Sequence, residues 1–218
     1  MIEILIKGVL SYLLGSIVGS LLIARLTGGV DIRTLGSGNA GATNALRHMG
    51  KGVALSVLLI DVVKGWVATG LIGAAVPRTI AETPEVHFWG VAVCGLAVIL
   101  GHVYPIWYGF RGGKGFATLV GAVVGIQVWL LLPMAVTWFA AVILFGYVSL
   151  ASMLSAVAVA IALIGCEGLL VRPPLVTFGF LAALLVIYTH RSNIARIRAG
   201  TESRAMRLWL FGTRRGAD

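Results

Sequence analysis

The sequence predicts an all-α, polytopic membrane protein with about seven transmembrane helices. Of its 218 residues, 59% are apolar and only 11% are charged, whereas about a quarter of the residues in soluble domains are charged. This composition excludes an ordinary water-soluble globule, and the many large apolar side chains exclude a disordered chain. Because a helix needs about 20 residues to cross a bilayer, the chain length allows roughly five to eight spans.

Apolar runs separated by polar loops predict the individual spans. We expect spans at 8–24, 52–76, 87–108 and 175–188, where polar or charged residues bound each run. The first run follows Glu3 and Lys7, whose charges cancel, and no small-residue cleavage motif follows it. It is therefore expected to be a permanent span rather than a removable signal.

The long stretch 116–166 contains no charged residue, and the number of spans within it decides the topology. Its length suits three short spans, with breaks near Leu132 and Pro133 and again between Gly146 and Ser149. A single span in this stretch is the alternative, and the total would then be five.

Basic residues predict the orientation of these spans, because Lys and Arg accumulate in cytoplasmic loops. Most of the 17 Lys and Arg residues lie at 25–51, 109–115 and 190–218. Placing these three segments on one side requires an odd number of spans in the uncharged stretch, which favours seven spans. The N-terminus would then lie outside and the C-terminus in the cytoplasm. We expect one membrane domain over 1–202 and a basic cytoplasmic tail over 203–218.

The net charge of +9 would suggest nucleic acid binding in a soluble protein. Here the basic residues flank apolar runs, which indicates contact with lipid headgroups or an anionic substrate and no nucleic acid partner. Cys94 and Cys166 lie in or beside apolar stretches, which is typical of inert thiols. We therefore expect no metal site and no cofactor.

The first polar segment, 36–47, is rich in Gly, Ser, Asn and Thr. Gly36, Gly38 and Gly41 form a G-x-G-x-x-G pattern, but a dinucleotide site needs this pattern between a strand and a helix. A glycine-rich turn can instead expose successive N–H groups to an anion; a flexible polar loop is the alternative. The residues expected to contact the anion are Ser37, Gly38, Asn39, Thr43, Asn44 and Arg47.

The second segment, 101–118, resembles a phosphate-binding P-loop without matching it. Tyr108 stands where the first Gly belongs, and Gly115 replaces the Ser or Thr that would hold magnesium. Glycines, a lysine and the start of an apolar helix still favour phosphate binding. The alternative is a surface turn with Arg111 and Lys114 as membrane anchors. The candidate residues are His102, Gly112, Gly113, Lys114, Gly115 and Thr118.

The third segment, 190–202, places His190 and Asn193 on one helical face and ends at Glu202. A basic cluster beside a membrane usually contacts headgroups, but that purpose does not require His190 or Asn193. Two features within spans complete the set. Asp61 and Lys64 are three residues apart and are expected to form a structural ion pair, while Ser149 and Ser152 either add donors at a helix start or only pack.

These segments together resemble the bacterial acyl-phosphate:glycerol-3-phosphate acyltransferases. The matching motifs are GSGNAGATNALR at 36–47, GHVYP and FRGGKGFAT within 101–118, and HRSNIARIRAGTE at 190–202, with DVVKG at 61–65 and YVSLAS at 147–152. The match covers nearly the whole chain with consistent spacing. One departure is Gly146, where the family pattern leads us to expect Arg.

The resemblance implies transfer of a fatty acyl group from acyl phosphate to the sn-1 hydroxyl of glycerol 3-phosphate, without a cofactor. The products would be lysophosphatidic acid and phosphate, at the cytoplasmic face of a bacterial inner membrane. Membrane lipids and the enzyme that produces acyl phosphate are the further partners it suggests.

The resemblance also implies roles for the site residues. Those that hold the acyl-phosphate headgroup would be Ser37, Arg47, Lys114 and Ser149. Those that shape the glycerol 3-phosphate pocket would be Gly112, Gly113 and Gly115. His190 and Asn193 would orient the reacting groups, and Glu202 would support their segment. His102 and His190 are candidate proton acceptors, but the resemblance favours a substrate-assisted route in which the proton passes to a phosphate oxygen.

Two alternatives concern the donor and the class of protein. Glycerolipid acyltransferases that use thioester donors carry a His-x-x-x-x-Asp dyad, and none of the four histidines has Asp five residues later. This disfavours acyl-CoA and acyl-carrier-protein donors. A transporter or channel for a phosphorylated solute would also explain spans and anion-binding loops. It would not explain three polar segments at one face, because transporter sites lie near the midplane.

Overall fold

A computed structural model describes residues 2–75, 84–167, 171–206 and 208–212, and within these ranges the regular structure is helical, with no strands. The helices are α1 (Ile2–Gly15), α2 (Gly19–Thr27), α3 (Ala42–His48), α4 (Gly50–Trp66, continued by a π-helix over Val67–Gly73), α5 (Pro84–Val103), α6 (Phe116–Ile126), α7 (Leu131–Phe145), α8 (Val148–Glu167), α9 (Pro173–Thr189) and α10 (Arg191–Arg198). Short 3₁₀ turns lie at Ile32–Thr34, Ile106–Tyr108 and Val128–Leu130.

The described helices fit a multi-pass membrane protein. Four stretches are long and apolar enough to cross a bilayer: Gly50–Gly73, Glu85–Tyr108, Val128–Phe145 and Val148–Cys166. The bent pairs α1–α2 and α9–α10, with angles of 52° and 55°, raise the number to six if each pair is one span. Helix α6 is a shorter apolar helix, and at 1.5 Å per residue its 11 residues are too short to cross about 30 Å of hydrocarbon.

The uncharged stretch, for which three short spans are predicted, contains the three helices α6, α7 and α8, and the first break lies at Gln127 rather than near Leu132 and Pro133. Gln127 is extended, with φ −158° and ψ 115°. Pro133 instead lies in the first turn of α7, where its missing N–H breaks no intrahelical hydrogen bond. The second break lies where expected, because Gly146 ends α7 in the left-handed conformation, with φ +77°.

The predicted span over 8–24 is broken, because the chain bends between α1 and α2. The Lys64 ammonium donates to the carbonyls of Gly15 (3.0 Å) and Ile17 (2.7 Å) at the break. The N–H of Gly19 donates to Asp61 Oδ1 at 3.3 Å. Backbone groups that a break leaves unpaired inside a membrane are costly unless the protein supplies partners. Helix α4 supplies them here.

Glycines let the central helices pack at backbone distance. A Cβ at Gly101 on α5 would collide with the Tyr12 carbonyl of α1, and one at Gly121 on α6 would collide with the Val62 carbonyl of α4. Small residues have this use in membrane helices, whose backbones then approach closely. The packing fixes α4, α5 and α6 around the loops that carry the first two polar segments.

Candidate active site

All three polar segments reach one cavity of about 1140 Å³, which α4, α7 and α8 also line. Polar side chains line part of the cavity: Ser37, Asn39, Thr43, Asn44, Arg47, Lys51, Asp61, His102, Lys114, Ser149, Ser152, His190, Asn193, Arg196 and Glu202. The remaining wall is apolar, with Leu55, Leu58, Val62, Leu131, Met134, Trp138 and Phe139 among its residues. The cavity therefore combines hydrogen-bonding and charged groups with a hydrocarbon surface.

The first segment is folded around the side chain of Asn44, which is 2% exposed. Its amide Nδ2 donates to the carbonyls of Leu35 (2.9 Å), Asn39 (3.1 Å) and Ile32 (3.2 Å), while its Oδ1 accepts the N–H of Ser37 at 3.3 Å. Asn44 thus shapes the loop that presents Ser37 to the cavity. The amide donors that we expected to contact an anion are already bonded to the loop itself.

Arg33 lies just before the first segment and connects this part of the chain to the second segment. Sequence reasoning missed this role because Arg33 resembles any basic loop residue. Its Nη1 donates to the carbonyls of Tyr108 and Arg111, both at 2.9 Å. Its Nη2 lies 2.6 Å from Asp31 Oδ2. The hydrogen bonds from Arg33 outweigh partial burial and hold the pKa of Asp31 below its usual value.

Arg47 and Lys51 place two positive charges at the cavity. Both are exposed and line the cavity. Among the residues that the structure describes, neither side chain has a hydrogen-bonding or ionic partner. The sequence identifies Lys51 only as one of the basic residues that predict the orientation. Its position on α4 beside the cavity is seen only in the structure.

The glycines of the second segment differ from one another in where their backbone groups point. The N–H groups of Gly112 and Gly113 donate to the carbonyls of Val103 (3.0 Å) and His102 (3.1 Å), and neither glycine lines the cavity. Gly115 does line it, with φ +83° at the start of α6.

Two other candidates also lie outside the cavity lining. Gly38 is exposed. Thr118 is fully buried on α6, where α6 packs closely against α4: a Cβ at Gly65 of α4 would collide with the Thr118 carbonyl.

Lys114 begins a chain of hydrogen bonds that joins the second and third segments to α8. Its ammonium donates to Asn193 Oδ1, and Asn193 Nδ2 donates to Glu202 Oε1 at 2.6 Å. Ser149 Oγ (2.7 Å) and Arg196 Nε (2.6 Å) donate hydrogen bonds to the same carboxylate. We call these five residues the Lys114 network. Arg196 belongs to the basic cluster for which the sequence suggests headgroup contact, and it lies one helical turn from Asn193 on α10.

The charges of the Lys114 network affect one another. Burial, together with the nearby Arg196 guanidinium, lowers the pKa of Lys114 to about 8, against the opposing effect of Glu202. Burial would raise the pKa of Glu202, but the hydrogen bonds from Asn193, Ser149 and Arg196 outweigh it and lower this pKa. Lys114 is therefore mainly a cation at neutral pH, and an incoming anion would favour its protonated form.

His190 is held in one orientation beside the Lys114 network. The residue is 5% exposed, and its Nδ1 lies 2.8 Å from the Val186 carbonyl. A carbonyl only accepts, so Nδ1 carries a hydrogen, and Nε2 of the neutral ring is an acceptor. Thr189 fixes this corner further, since its Oγ1 donates to the Lys114 carbonyl at 3.0 Å.

Asp61, Lys64 and His102 form a second charged group deeper in the protein. Lys64 Nζ lies 2.8 Å from both Asp61 Oδ1 and His102 Nδ1, and His102 Nδ1 lies 3.3 Å from the same carboxylate oxygen. Asp61 and His102 line the cavity, whereas Lys64 does not. Ser152 lies one turn beyond Ser149, and its hydroxyl donates to the Val148 carbonyl of its own helix at 2.9 Å.

The described residues contain no group of three or more His, Cys, Asp or Glu side chains placed as metal ligands would be. The described lining residues supply hydrogen-bond donors, two cations without a partner among the described residues, a half-buried lysine and an oriented imidazole. Such a set binds phosphate oxygens and stabilises negative charge.

Comparison with known proteins assigns the family. The model of the glycerol-3-phosphate acyltransferase family matches residues 5–200. A glycerol-3-phosphate acyltransferase of Mesorhizobium japonicum is 42% identical over 196 residues, which cover 90% of this chain and 93% of the relative. One from Geotalea daltonii is 44% identical over 195 residues, covering 88% and 93%.

Solved structures agree. The crystal structure of PlsY, an integral membrane glycerol 3-phosphate acyltransferase, in its glycerol 3-phosphate form superposes with a TM-score of 0.79 at 33% identity, covering 92% of this chain and 94% of that one. The lysophosphatidic acid form gives 0.77 at 32% identity, with the same coverage. The chain therefore belongs to the glycerol-3-phosphate acyltransferase family.

Proposed function

We propose that the protein transfers a fatty acyl group from acyl phosphate to the sn-1 hydroxyl of glycerol 3-phosphate, releasing phosphate and lysophosphatidic acid. The observation that carries this proposal is the cavity whose lining combines cationic side chains with an apolar wall. Acyl phosphate has the same two parts, a charged headgroup and a hydrocarbon chain. The second substrate, glycerol 3-phosphate, needs only the charged and polar side chains of the cavity, because it has no long apolar chain.

The donor would lie with its headgroup against Ser37, Arg47, Lys114 and Ser149. Its chain would extend along Leu58, Met134 and Trp138 on α4 and α7, which line the apolar wall. Glycerol 3-phosphate would bind beside His190 and Asn193, with Gly115 at the edge of the pocket. Gly112 and Gly113 would act on this pocket through the loop that they fold rather than by direct contact.

The reaction needs no covalent enzyme intermediate, because acyl phosphate is already activated. The sn-1 oxygen attacks the acyl carbon, an ester bond forms, and the bond from that carbon to the phosphate oxygen breaks. Lys114 and Arg47 stabilise the negative charge that develops on the phosphate, and His190 and Asn193 help to orient the reacting groups. The hydroxyl proton passes to a phosphate oxygen, and the leaving group departs as hydrogen phosphate.

The proposed topology has seven membrane segments, with α6 as the short one between α5 and α7. The N-terminus lies outside, the C-terminus and the cationic residues of the cavity face the cytoplasm, and the membrane is the bacterial inner membrane. The basic segments support this orientation, and glycerol 3-phosphate is a cytosolic metabolite. The enzyme that makes acyl phosphate is the partner that this reaction requires upstream.

The decisive experiment supplies detergent-purified protein with labelled glycerol 3-phosphate and one of two donors, palmitoyl phosphate or palmitoyl-CoA. We expect lysophosphatidic acid and phosphate in a one-to-one ratio with palmitoyl phosphate, and no product with the thioester. Product formation from the thioester alone would overturn the proposed donor. Binding of glycerol 3-phosphate without turnover on either donor would favour a transporter.

A further inference from the structure

The chain after Glu202 packs against the turn between α7 and α8, although the family match ends at residue 200. We call residues 203–212 the tail segment, of which the structure describes 203–206 and 208–212. Leu210 N–H donates to the Ile143 carbonyl at 2.9 Å, Trp209 Nε1 to the Leu144 carbonyl at 3.2 Å, and Ala205 N–H to the Gly146 carbonyl at 2.8 Å. These carbonyls lie in or just after the last turn of α7, where a helix leaves its carbonyls unpaired.

The turn and the tail segment fit each other at one glycine. Gly146 has φ +77°, and a Cβ there would lie 2.9 Å from the Trp209 ring. Arg204 fills the other side of this contact, with its guanidinium carbon 4.0 Å from the Trp209 ring centroid and 4.8 Å from that of Tyr147. Both the backbone conformation and the indole therefore exclude a larger residue at 146, which accounts for the absence of the expected Arg.

Glu202 lies between two fixed points of the backbone. On one side, Thr201 N–H donates to the Arg196 carbonyl of α10 at 2.9 Å; on the other, Ala205 bonds to Gly146. The Glu202 carboxylate is thereby held where it accepts hydrogen bonds from Asn193 and Ser149. Without the second anchor, Glu202 would keep only the first.

We propose that the tail segment is a positioning element for the substrate phosphate: by docking on the α7–α8 turn it fixes Glu202, and through Glu202 it fixes Asn193 and Lys114. The inference rests on the proposed role of Lys114 as a phosphate ligand. Trp209 is the residue on which docking depends, because it contributes a hydrogen bond, covers Gly146 and stacks on Arg204.

The test measures the dissociation constant of glycerol 3-phosphate by calorimetry, without any donor, in the wild type and in Trp209→Ala. We expect this substitution to weaken binding about tenfold, since it loosens the carboxylate that orients the Lys114 network. Trp209→Phe keeps the ring over Gly146 and is expected to restore most of the affinity. Leu208→Ala is the matched control, because Leu208 is exposed, and it should bind as the wild type does.

A pH series separates positioning from a general loss of folded protein. Affinity should fall as pH rises through the pKa of Lys114, which faces Glu202, Arg196 and His190. Glu202 raises this pKa, so its displacement in Trp209→Ala should move the alkaline loss of affinity to lower pH. A lower fraction of folded protein would reduce the number of sites without moving this midpoint.

Gly146→Ala tests the same contact from the opposite side and covers the case in which Trp209→Ala does not fold. It should also weaken binding, and its effect should shrink in the Gly146→Ala/Trp209→Ala double variant, where the collision is gone. An unchanged dissociation constant and midpoint in the folded variants would overturn the inference. Wild-type protein that binds glycerol 3-phosphate but does not use acyl phosphate would overturn only the proposed function.

Discussion

Two charged groups lie beside the same cavity, and they differ in where their hydrogen bonds go. In the first, Lys64 directs its ammonium to the backbone carbonyls of Gly15 and Ile17 and to Asp61. In the second, Lys114 has its bond to Asn193 and remains part of the cavity lining. The Lys64 group closes a break in the first span, whereas the Lys114 network faces the space that a substrate would occupy.

The partners that a charged side chain already has within the protein indicate its role. Lys64 is 3% exposed, and every proton of its ammonium has an acceptor within the protein. Such a group has nothing left to offer a ligand, and removing it exposes backbone groups to a medium without water. Lys114 has one close partner, so an arriving phosphate can still bond to it.

The largest effect is expected for Lys64→Met. This change leaves the Asp61 carboxylate buried without its cation and leaves two carbonyls without a donor, which should lower the free energy of unfolding by about 3–5 kcal/mol. The measurement is thermal unfolding in detergent. Asp61→Asn/Lys64→Met should recover part of the loss, because no unpaired charge remains. A stably folded Lys64→Met protein that had lost only substrate binding would instead move Lys64 into the site.

Next in size is the loss of activity expected for Lys114→Ala. Removing a donor aimed at developing negative charge typically costs about 10²–10³ in rate, while removal of a partly buried ammonium should not lower the unfolding temperature. The measurement is kcat/KM for both substrates beside a thermal unfolding curve. Arg111→Ala, in the same loop but exposed, is the control and should stay close to the wild type. Similar losses in both variants would mean that the loop contributes only its net charge.

Most of the spans could be predicted because hydropathy reports burial in lipid, and convergence of the three segments followed from placing the basic loops on one side. The break between α1 and α2 could not be predicted, because both halves are apolar and its partners, Asp61 and Lys64, lie far away in sequence. The break at Gln127 was misplaced for a related reason: Pro133 is the stronger sequence signal, but it marks a helix start here.

Side-chain chemistry predicted which residues reach the cavity better than it predicted what they do there. The amide of Asn44 and the N–H groups of Gly112 and Gly113 carry the right atoms for anion binding, yet the loops use those atoms for their own folding. The packing of the tail segment was also missed. Two of its three anchors are backbone N–H groups, which every residue except proline has, so no residue pattern announces them.

The smallest effects on kcat/KM are expected for two neutral side chains, the serines Ser149 and Ser152, which lie one turn apart on α8. Ser149 donates to the Glu202 carboxylate, whereas Ser152 donates to a carbonyl of its own helix. Ser149→Ala should reduce kcat/KM about tenfold, because a hydrogen bond to a charged acceptor is lost. Ser152→Ala should stay within about twofold, since a serine bonded back to its own helix adds little. If Ser152→Ala proved the more damaging, the partner that a hydroxyl has in the unliganded protein would not indicate its role. The same reasoning would then fail for Lys64 and Lys114.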